Sequence, residues 1–205
     1  MKDRFSIIEL FPKAVYISNI ERPFSKKELI FFDKNLKNIS PNVGNVSSFN
    51  SRILNDIILK NLKKQIDKHI ENYIYNILKF NKRIKPFITQ SWLNVTNKDQ
   101  HHHTHCHSNS FISGVLYISV NEGQDNIKFY SRDRNFFEDI PIEYNRYNST
   151  NWFISVKCGD LILFRSDLQH GVDRKIEKFN RISLAFNVFI KGSLGEELHF
   201  NKLEL

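Results

Sequence analysis

Residues 181–190 read Arg181-Ile-Ser-Leu-Ala-Phe-Asn-Val-Phe-Ile190, and this stretch decides the fold class. Up to Val188, small or polar residues alternate with large apolar ones. Side chains of a strand point to opposite faces in turn, so the segment predicts a β-strand with one apolar and one polar face. The apolar face is suited to covering by a helix, and the polar face is suited to lining a cavity.

Further strand-like runs fill most of the chain after Pro86, with turn-like clusters of Asn, Asp and Gly between them. They are residues 87–95, 114–120, 127–130, 152–156 and 160–164. Residues 5–18 read as one or two short strands around Pro12. Helices followed by antiparallel strands predict an α+β, mainly β fold: a β-sandwich or a jelly roll with the N-terminal helices packed on one sheet. We expect one domain over residues 1–205, with helical support at 20–85 and the jelly-roll core at 87–190.

Two helices are predicted before the strands. Ser25 and Glu28 fit a capping box, which starts a helix that reaches about Leu36. Residues 40–50, rich in Asn and Ser, read as a loop. A long helix is expected over residues 51–80, because apolar residues recur there every three or four positions. This stripe consists of Leu54, Ile58, Leu62, Ile66, Ile70, Tyr73 and Ile77.

The net charge of +8 lies wholly in the N-terminal half, where residues 1–100 carry 18 Lys and Arg against 9 Asp and Glu. One explanation is an acidic partner such as nucleic acid. The other is a solvated helix face, since four lysines of the long helix lie between its apolar positions. We favour the second, because the sequence has no Arg-rich cluster and no nucleic-acid-binding motif.

Cys106 and Cys158 do not form a disulfide framework, and no signal peptide is recognisable at the N-terminus. No apolar run approaches the roughly 18–20 residues that span a bilayer. We therefore expect a cytoplasmic protein without a membrane partner.

Five of the eight histidines lie in the stretch His101-His-His-Thr-His-Cys-His107. Residues i and i+2 of a strand point the same way, so His105 and His107 can reach one metal ion together. His103 shares their parity and is a rival ligand. A metal-binding surface loop without catalytic function is the simpler alternative.

A third ligand has to come from elsewhere, and His170 is the best candidate, because it follows the short apolar strand that ends at Phe164. Arg181 and Ser183 share one strand face. An inward-facing arginine is costly to desolvate unless an anion pairs with it, and a dicarboxylate ligand would supply that anion. A buried salt bridge to an Asp or Glu is the alternative.

The order His-x-His, then Gly-Asp-x-x-x-Phe with a distal His, then Arg-x-Ser resembles the 2-oxoglutarate/Fe(II)-dependent oxygenases. The closest likeness is to small bacterial and phage members, which are distantly similar to prolyl hydroxylases. It covers about residues 87–190 and is carried by four stretches: residues 91–95, 105–117, 159–170 and 181–187. The fold that this resemblance implies is a double-stranded β-helix (jelly roll) with N-terminal helices packed on one sheet.

This resemblance implies His105, His107 and His170 as ligands of Fe(II), and Arg181 with Ser183 as the site for the C5 carboxylate of 2-oxoglutarate. It also suggests Tyr117 as a hydrogen-bond partner of this co-substrate. The implied reaction consumes O2 and hydroxylates a substrate, releasing succinate and CO2, and the likeness favours a peptide or amino acid. The usual facial triad has a carboxylate where His107 stands, so Asp99 or Asp167 is a possible replacement ligand.

Two other functions fit the sequence: a cupin-like metalloenzyme with three histidines and no 2-oxoglutarate, and a non-enzymatic binding module. The cupin-like enzyme predicts that Arg181 pairs inside the protein. A substrate lid is a further hypothesis for the insertion that contains Asp133, Arg134, Phe136, Phe137 and the Asn-rich residues 145–151. A plain surface loop is the alternative, and we favour it slightly.

Overall fold

The computed structural model describes residues 6–132 and 141–205. Phe5 and the predicted lid residues Asp133, Arg134, Phe136 and Phe137 lie outside this range. Helix α1 spans Lys26–Asn35 and α2 spans Lys60–Glu71, and α2 is followed by a π-helical turn at Asn72–Ile77. Short 3₁₀ turns cover Ile53–Asn55, Ile57–Leu59 and Glu197–His199. The strands are β1 (Val15–Asn19), β2 (Ile39–Pro41), β3 (Val46–Ser48), β4 (Ile84–Thr96), β5 (His102–His105), β6 (Ile112–Ser119), β7 (Asn126–Tyr130), β8 (Asn151–Ser155), β9 (Asp160–Arg165), β10 (Gln169–Val172), β11 (Arg181–Leu194) and β12 (Leu203–Glu204).

These strands form two antiparallel sheets. The major sheet has the order β1-β9-β6-β11-β4-β3-β2, with β12 added to β11, and the minor sheet has the order β5-β10-β7-β8. From β4 to β11 the chain alternates between the two sheets, with only β7 and β8 adjacent in one sheet. This winding is a double-stranded β-helix, and it confirms the predicted jelly roll.

The apolar face of β11 packs against the helices, as its alternation predicts. Leu184, Phe186 and Val188 are fully buried in one cluster with Leu62, Ile66 and other side chains of α1 and α2. Gly114 of β6 lies under the Phe186 ring, where an added Cβ would come within 2.1 Å of the ring. Only glycine permits so close an approach. The N-terminal helices therefore cover one face of the major sheet, as expected.

The other face of the major sheet looks toward the minor sheet. Its cluster of buried apolar side chains is smaller and aromatic, and includes Phe129 of β7 and Phe164 of β9. The residues of β11 on this face are the polar or small ones, and three of them, Arg181, Ser183 and Ala185, line a cavity between the sheets. The space between the sheets is therefore part apolar core and part polar site.

The long helix predicted for residues 51–80 is wrong at both ends. Two 3₁₀ turns precede α2, in part because the Ser91 hydroxyl accepts a bond from the Leu54 amide and the Asp56 carboxylate accepts one from the Ile58 amide. After α2 the π-helical turn adds a residue per turn and shifts the apolar phase. Ile74 is consequently buried, whereas Ile58 and Ile77 of the predicted stripe are 44% and 52% exposed.

The predicted loop at residues 40–50 is also wrong in part, because it contains the β2–β3 hairpin. Gly44 has a φ of +87° in its turn, and β3 pairs with β4, which extends the major sheet. Strands this short carry no readable alternation. Of the strands predicted in residues 5–18, only Val15–Asn19 forms one among the described residues. Across residues 6–132 and 141–205, no helix is long and apolar enough to cross a bilayer.

Candidate metal centre and co-substrate cavity

Three imidazoles meet at one end of the minor sheet. His105 of β5 and His170 of β10 are paired residues of neighbouring strands, and His107 follows β5 in the next turn. One nitrogen from each ring lies within 4.8 Å of the other two. The structure therefore brings together the three histidines that the sequence singled out, from two distant segments of the chain.

The ring orientations leave the Nε2 edges free for an ion. His105 Nδ1 lies 2.8 Å from the carbonyl oxygen of His103, and His170 Nδ1 lies 3.0 Å from that of Leu168. A carbonyl oxygen only accepts, so both Nδ1 atoms carry the proton and both Nε2 atoms keep their lone pairs. Anchoring of the second ring nitrogen in this way is typical of metal-binding histidines.

The distance between His105 Nε2 and His107 Nε2 also fits a shared ion. These atoms are 3.1 Å apart. Two imidazole nitrogens that bind one ion at about 2.1 Å each and at a right angle lie about 3.0 Å from one another. The nitrogen-only donor set suits Fe(II) among other transition metals, and the residues present thus fit the metal centre.

Burial keeps these histidines neutral at physiological pH. It lowers the pKa of His170 to about 3 and that of His107 to about 4, and it also lowers the pKa of His105. A hydrogen bond with Asn187 opposes the shift of His107, and the Leu168 carbonyl opposes that of His170. Neutral imidazole is the metal-binding form, so the apo-site is ready for a cation without first losing protons.

Aromatic side chains fix the outer sides of two of the rings. The Phe164 ring lies edge-on to His170, with centroids 4.5 Å apart. Trp92 of β4 stacks on His107 with centroids 6.0 Å apart and an interplanar angle of 24°. The Phe164 contact shields the three imidazoles from water. The Trp92 contact limits rotation of the His107 ring, which lies beyond the end of β5.

A second trio of histidines, His102, His103 and His105, also has nitrogens within 4.8 Å of one another. It shares His105 with the first trio and borders an open cleft together with Asn42 and other polar residues. His103 does not line the cavity that contains Arg181, whereas His105, His107 and His170 all do. The single free nitrogen of His105 lies beside His107, so the first trio is the better candidate for a metal centre.

The two acidic residues proposed as replacement ligands lie elsewhere. Asp99 pairs with Arg174 at 2.8 Å, and Asp167 pairs with Arg165 at 3.1 Å. Both carboxylates are more than half exposed. In the described part of the chain, neither belongs to a group of residues that could hold a metal ion.

Arg181, Ser183 and Tyr117 line the same cavity from the major sheet. The Arg181 guanidinium is 4% exposed and donates to the Thr96 hydroxyl at 2.9 Å. Among the described residues, the hydroxyls of Ser183 and Tyr117 have no protein hydrogen-bond partner, and burial raises the pKa of Tyr117. A buried cation beside two unpaired hydroxyls is suited to a carboxylate.

Arg181 does have an acidic neighbour, so the alternative of a buried salt bridge is met in part. Its Nη1 lies 3.7 Å from Oδ1 of Asp125, in the turn before β7. The same carboxylate binds Lys175 at 3.0 and 3.1 Å. Asp125 therefore pairs mainly with Lys175. Burial is the largest influence on the pKa of Arg181 and lowers it.

Several cavity residues were not predicted to have a role. One face of β4 carries Trp92, Asn94 and Thr96, which alternate along the strand with Leu93 and Val95 on the other face. This period-two spacing was the signal that could have identified them. His102 has the opposite parity to the ligands and reaches the cavity because the β5–β10 register shifts next to it. Asp125 and Lys175 lie in connecting segments, where periodicity gives no signal.

Residues 90–187 match a family model described as "Putative 2OG-Fe(II) oxygenase". This segment belongs to the 2OG-Fe(II) oxygenase family. The description of this family names Fe(II) and 2-oxoglutarate as its cofactors, and its reaction class is that of an oxygenase. No curated protein matches the sequence of this oxygenase significantly.

Solved structures show the same fold at low sequence identity. A 2OG-Fe(II) oxygenase family oxidoreductase from Burkholderia pseudomallei is 12% identical with a TM-score of 0.59, over 85% of this oxygenase and 83% of that chain. HygX from Streptomyces hygroscopicus, solved with nickel, 2-oxoglutarate and hygromycin B, is 12% identical with a TM-score of 0.53 (86% and 82% covered). The 2-oxoglutarate-dependent epimerase SnoN from nogalamycin biosynthesis is 8% identical with a TM-score of 0.57 (86% and 78% covered).

The predicted lid is only partly within the described residues. Arg132, the last described residue before the insertion, donates to the sulfur of Cys106, the residue between His105 and His107, at 3.1 Å. In the Asn-rich segment, Arg146 and Tyr147 contact Glu9 and border a separate groove with the N-terminal residues. A lid function for the insertion stays a prediction.

Proposed function

We propose that this oxygenase hydroxylates its substrate at an iron held by His105, His107 and His170. Arg181, Ser183 and Tyr117 would bind the C5 carboxylate end of 2-oxoglutarate. One observation carries the proposal: three imidazole edges and one buried guanidinium line the same cavity. We further propose that residues 1–205 act as one catalytic domain.

When bound, iron and 2-oxoglutarate would supply the chemistry: one oxygen atom of O2 would enter succinate as 2-oxoglutarate loses CO2, and the other would be inserted into a substrate C–H bond. The protein contributes position and exclusion of water. The anchored rings of His105 and His170 would fix the position of the cation. Phe164, which packs against the His170 ring, would keep solvent away from that side of the site. Arg181 fixes the far end of the co-substrate by charge.

The substrate class is proposed from the sequence resemblance alone, as a peptide or a free amino acid. HygX was solved with hygromycin B, so small natural products are the competing class. A screen for substrate-stimulated succinate release that includes both classes distinguishes them. A cytoplasmic location is proposed because both cysteines, Cys106 and Cys158, are free thiols.

The test is iron-dependent succinate release from 2-oxoglutarate, combined with the iron content of the purified protein. His170→Ala should abolish both, because it removes one of three ligands. His103→Ala is the matched control: it removes an imidazole from the rival trio and should leave stoichiometric iron. Loss of iron in the control with retention in His170→Ala would refute the ligand assignment. Bound iron without any 2-oxoglutarate turnover would favour the cupin-like alternative.

A further inference from the structure

Lys175 is a buried ammonium group with no role in the proposed reaction. Its side chain is 1% exposed and lies in the segment between β10 and β11. Lysine is seldom fully buried unless it is paired, because taking its charge out of water is costly. Its Nζ contacts both carboxylate oxygens of Asp125, whose side chain is 4% exposed. The backbone amide of Asn121 donates to the same carboxylate at 2.7 Å.

The same carboxylate faces a second cation at a longer distance. Asp125 Oδ1 is 3.0 Å from the Lys175 ammonium and 3.7 Å from the Arg181 guanidinium. The guanidinium meanwhile donates to Thr96. Glu177 is 3.7 Å from the ammonium, but its side chain is 30% exposed and its charge is more strongly screened. Two buried cations thus share one buried anion, which leaves positive charge at the arginine.

We propose that Lys175 is a positioning residue for co-substrate binding. By holding Asp125 at both oxygens, it prevents this carboxylate from closing a bidentate pair with Arg181. The guanidinium then keeps its charge and its donors for the C5 carboxylate of 2-oxoglutarate. This inference rests on the proposed function, since it needs Arg181 as the anchor of 2-oxoglutarate.

Removal of the lysine charge should turn Asp125 into a competitor of the co-substrate. In Lys175→Met, Arg181 becomes the nearest cation to the Asp125 carboxylate, and guanidinium and carboxylate form favourable bidentate pairs. The Kd of 2-oxoglutarate for the iron-loaded protein without oxygen should rise by about 10- to 100-fold, the scale of one charge-assisted hydrogen bond. The kcat at saturating 2-oxoglutarate should change by less than about twofold, because uniform binding alone is lost.

Two comparisons separate this role from a merely structural one. The first is 2-oxopentanoate, which has the same chain without the C5 carboxylate, and whose Kd should be the same in wild type and Lys175→Met. The second is the double variant Lys175→Met with Asp125→Asn, which also removes the competitor and should restore the Kd of 2-oxoglutarate to within a few-fold. Lys178→Met, an exposed lysine of the same segment, is the matched control and should bind both acids like wild type.

Equal weakening of both acids in Lys175→Met would overturn the inference, as would an unchanged Kd of 2-oxoglutarate. If the single variant does not fold, the double variant decides. Near-native 2-oxoglutarate affinity in the double variant supports the positioning role, and a loss of tenfold or more contradicts it. Failure of the wild-type protein to bind or turn over 2-oxoglutarate would instead contradict the proposed function, so the two failures are distinguishable.

Discussion

His105 and His170 face each other across β5 and β10 with ring centroids 4.4 Å apart, and each ring is anchored in the same way. In both, Nδ1 donates to the carbonyl oxygen of the residue two positions earlier, His103 and Leu168. The backbone of each strand thereby orients its own imidazole before any ion is bound. His107 has no such backbone anchor among the described contacts and is held by Trp92 and Asn187 instead.

Because of this difference, we expect His107 to be the proposed ligand at which a change of donor is best tolerated. His107→Asp should keep iron affinity within about tenfold, because a carboxylate completes the common facial triad. His107→Ala should lose more than about a hundredfold, since even partners outside the ligand shell cost 10–100-fold. Anaerobic iron titration measures both. Equal loss in the two variants would show that His107 does not bind the iron.

Arg181 should control 2-oxoglutarate affinity rather than the chemical step. Arg181→Met should raise the KM for 2-oxoglutarate by about a hundredfold or more, because a charge-assisted bidentate pair is lost. Arg181→Lys should fall between this variant and wild type, since an ammonium restores charge without the planar donor pair. Succinate release over a range of 2-oxoglutarate concentrations is the measurement. A KM that is the same in all three proteins contradicts the role of Arg181.

The two hydroxyls in the cavity should have smaller effects of the same kind. Ser183→Ala and Tyr117→Phe each remove one neutral donor and should raise the KM for 2-oxoglutarate by roughly 2- to 10-fold. Ser119→Ala is a control on an exposed bond, because its hydroxyl donates to the Asn180 carbonyl outside the cavity. A change in kcat without a change in KM would place these hydroxyls near the substrate rather than the co-substrate.

The metal-free protein should lose stability as the pH falls. Above the unfolded-state pKa of about 6.5, these histidines are neutral in both the folded and the unfolded chain, so stability does not depend on their protonation. Between pH 6.5 and about 4 the unfolded chain takes up protons that the folded chain does not, because the pKa of His170 is about 3 and that of His107 about 4 when folded. Each contributes at most about 1.4 kcal/mol per pH unit to the loss.

Urea unfolding of the metal-free protein at several pH values measures this effect. His170→Gln removes one titrating ring, so its free energy of unfolding should fall less steeply than that of wild type. Parallel slopes in the two proteins would mean that His170 is protonated in the folded state as readily as in the unfolded chain.

The helix-to-sheet contact should be sensitive to truncation at Ile66 and not at Ile58. Ile66 is fully buried against the major sheet, and Ile66→Ala should lower the free energy of unfolding by about 2–5 kcal/mol. Ile58 is 44% exposed, so Ile58→Ala should cost about 1 kcal/mol or less. Chemical denaturation of the two variants is the check. Similar losses in the two variants would mean that Ile58 is as buried as Ile66, as the continuous helix predicted from the sequence requires.

The sequence predicted the parts of this fold that are decided locally. The capping box of α1 and the two faces of β11 depend on residues a few positions apart, and both were read correctly. The two ends of α2 were not, because the contact of Leu54 with Ser91 before the helix and the π-helical turn after it depend on packing against the sheet. Local periodicity carries no record of such contacts.

The candidate site was predictable to a similar extent. The three histidines and Arg181 stood out by residue type and spacing, and the structure brings them to one cavity. Asp125 and Lys175 did not stand out, because their pairing joins two turns that are 50 residues apart. An ion pair of this kind becomes visible only when the sheets have fixed the positions of their connecting segments.

The metal trio belongs to the minor-sheet side of the cavity, and Arg181, Ser183 and Tyr117 belong to the major sheet. Facing sheets lie about 10 Å apart. On the proposed assignment, a dicarboxylate with one end on the ion and the other on the arginine acts as a strut between the walls of the sandwich. The distance between the sheets then selects the length of the dicarboxylate. An acid one carbon shorter than 2-oxoglutarate would span this distance poorly, even if its two ends carry the same groups.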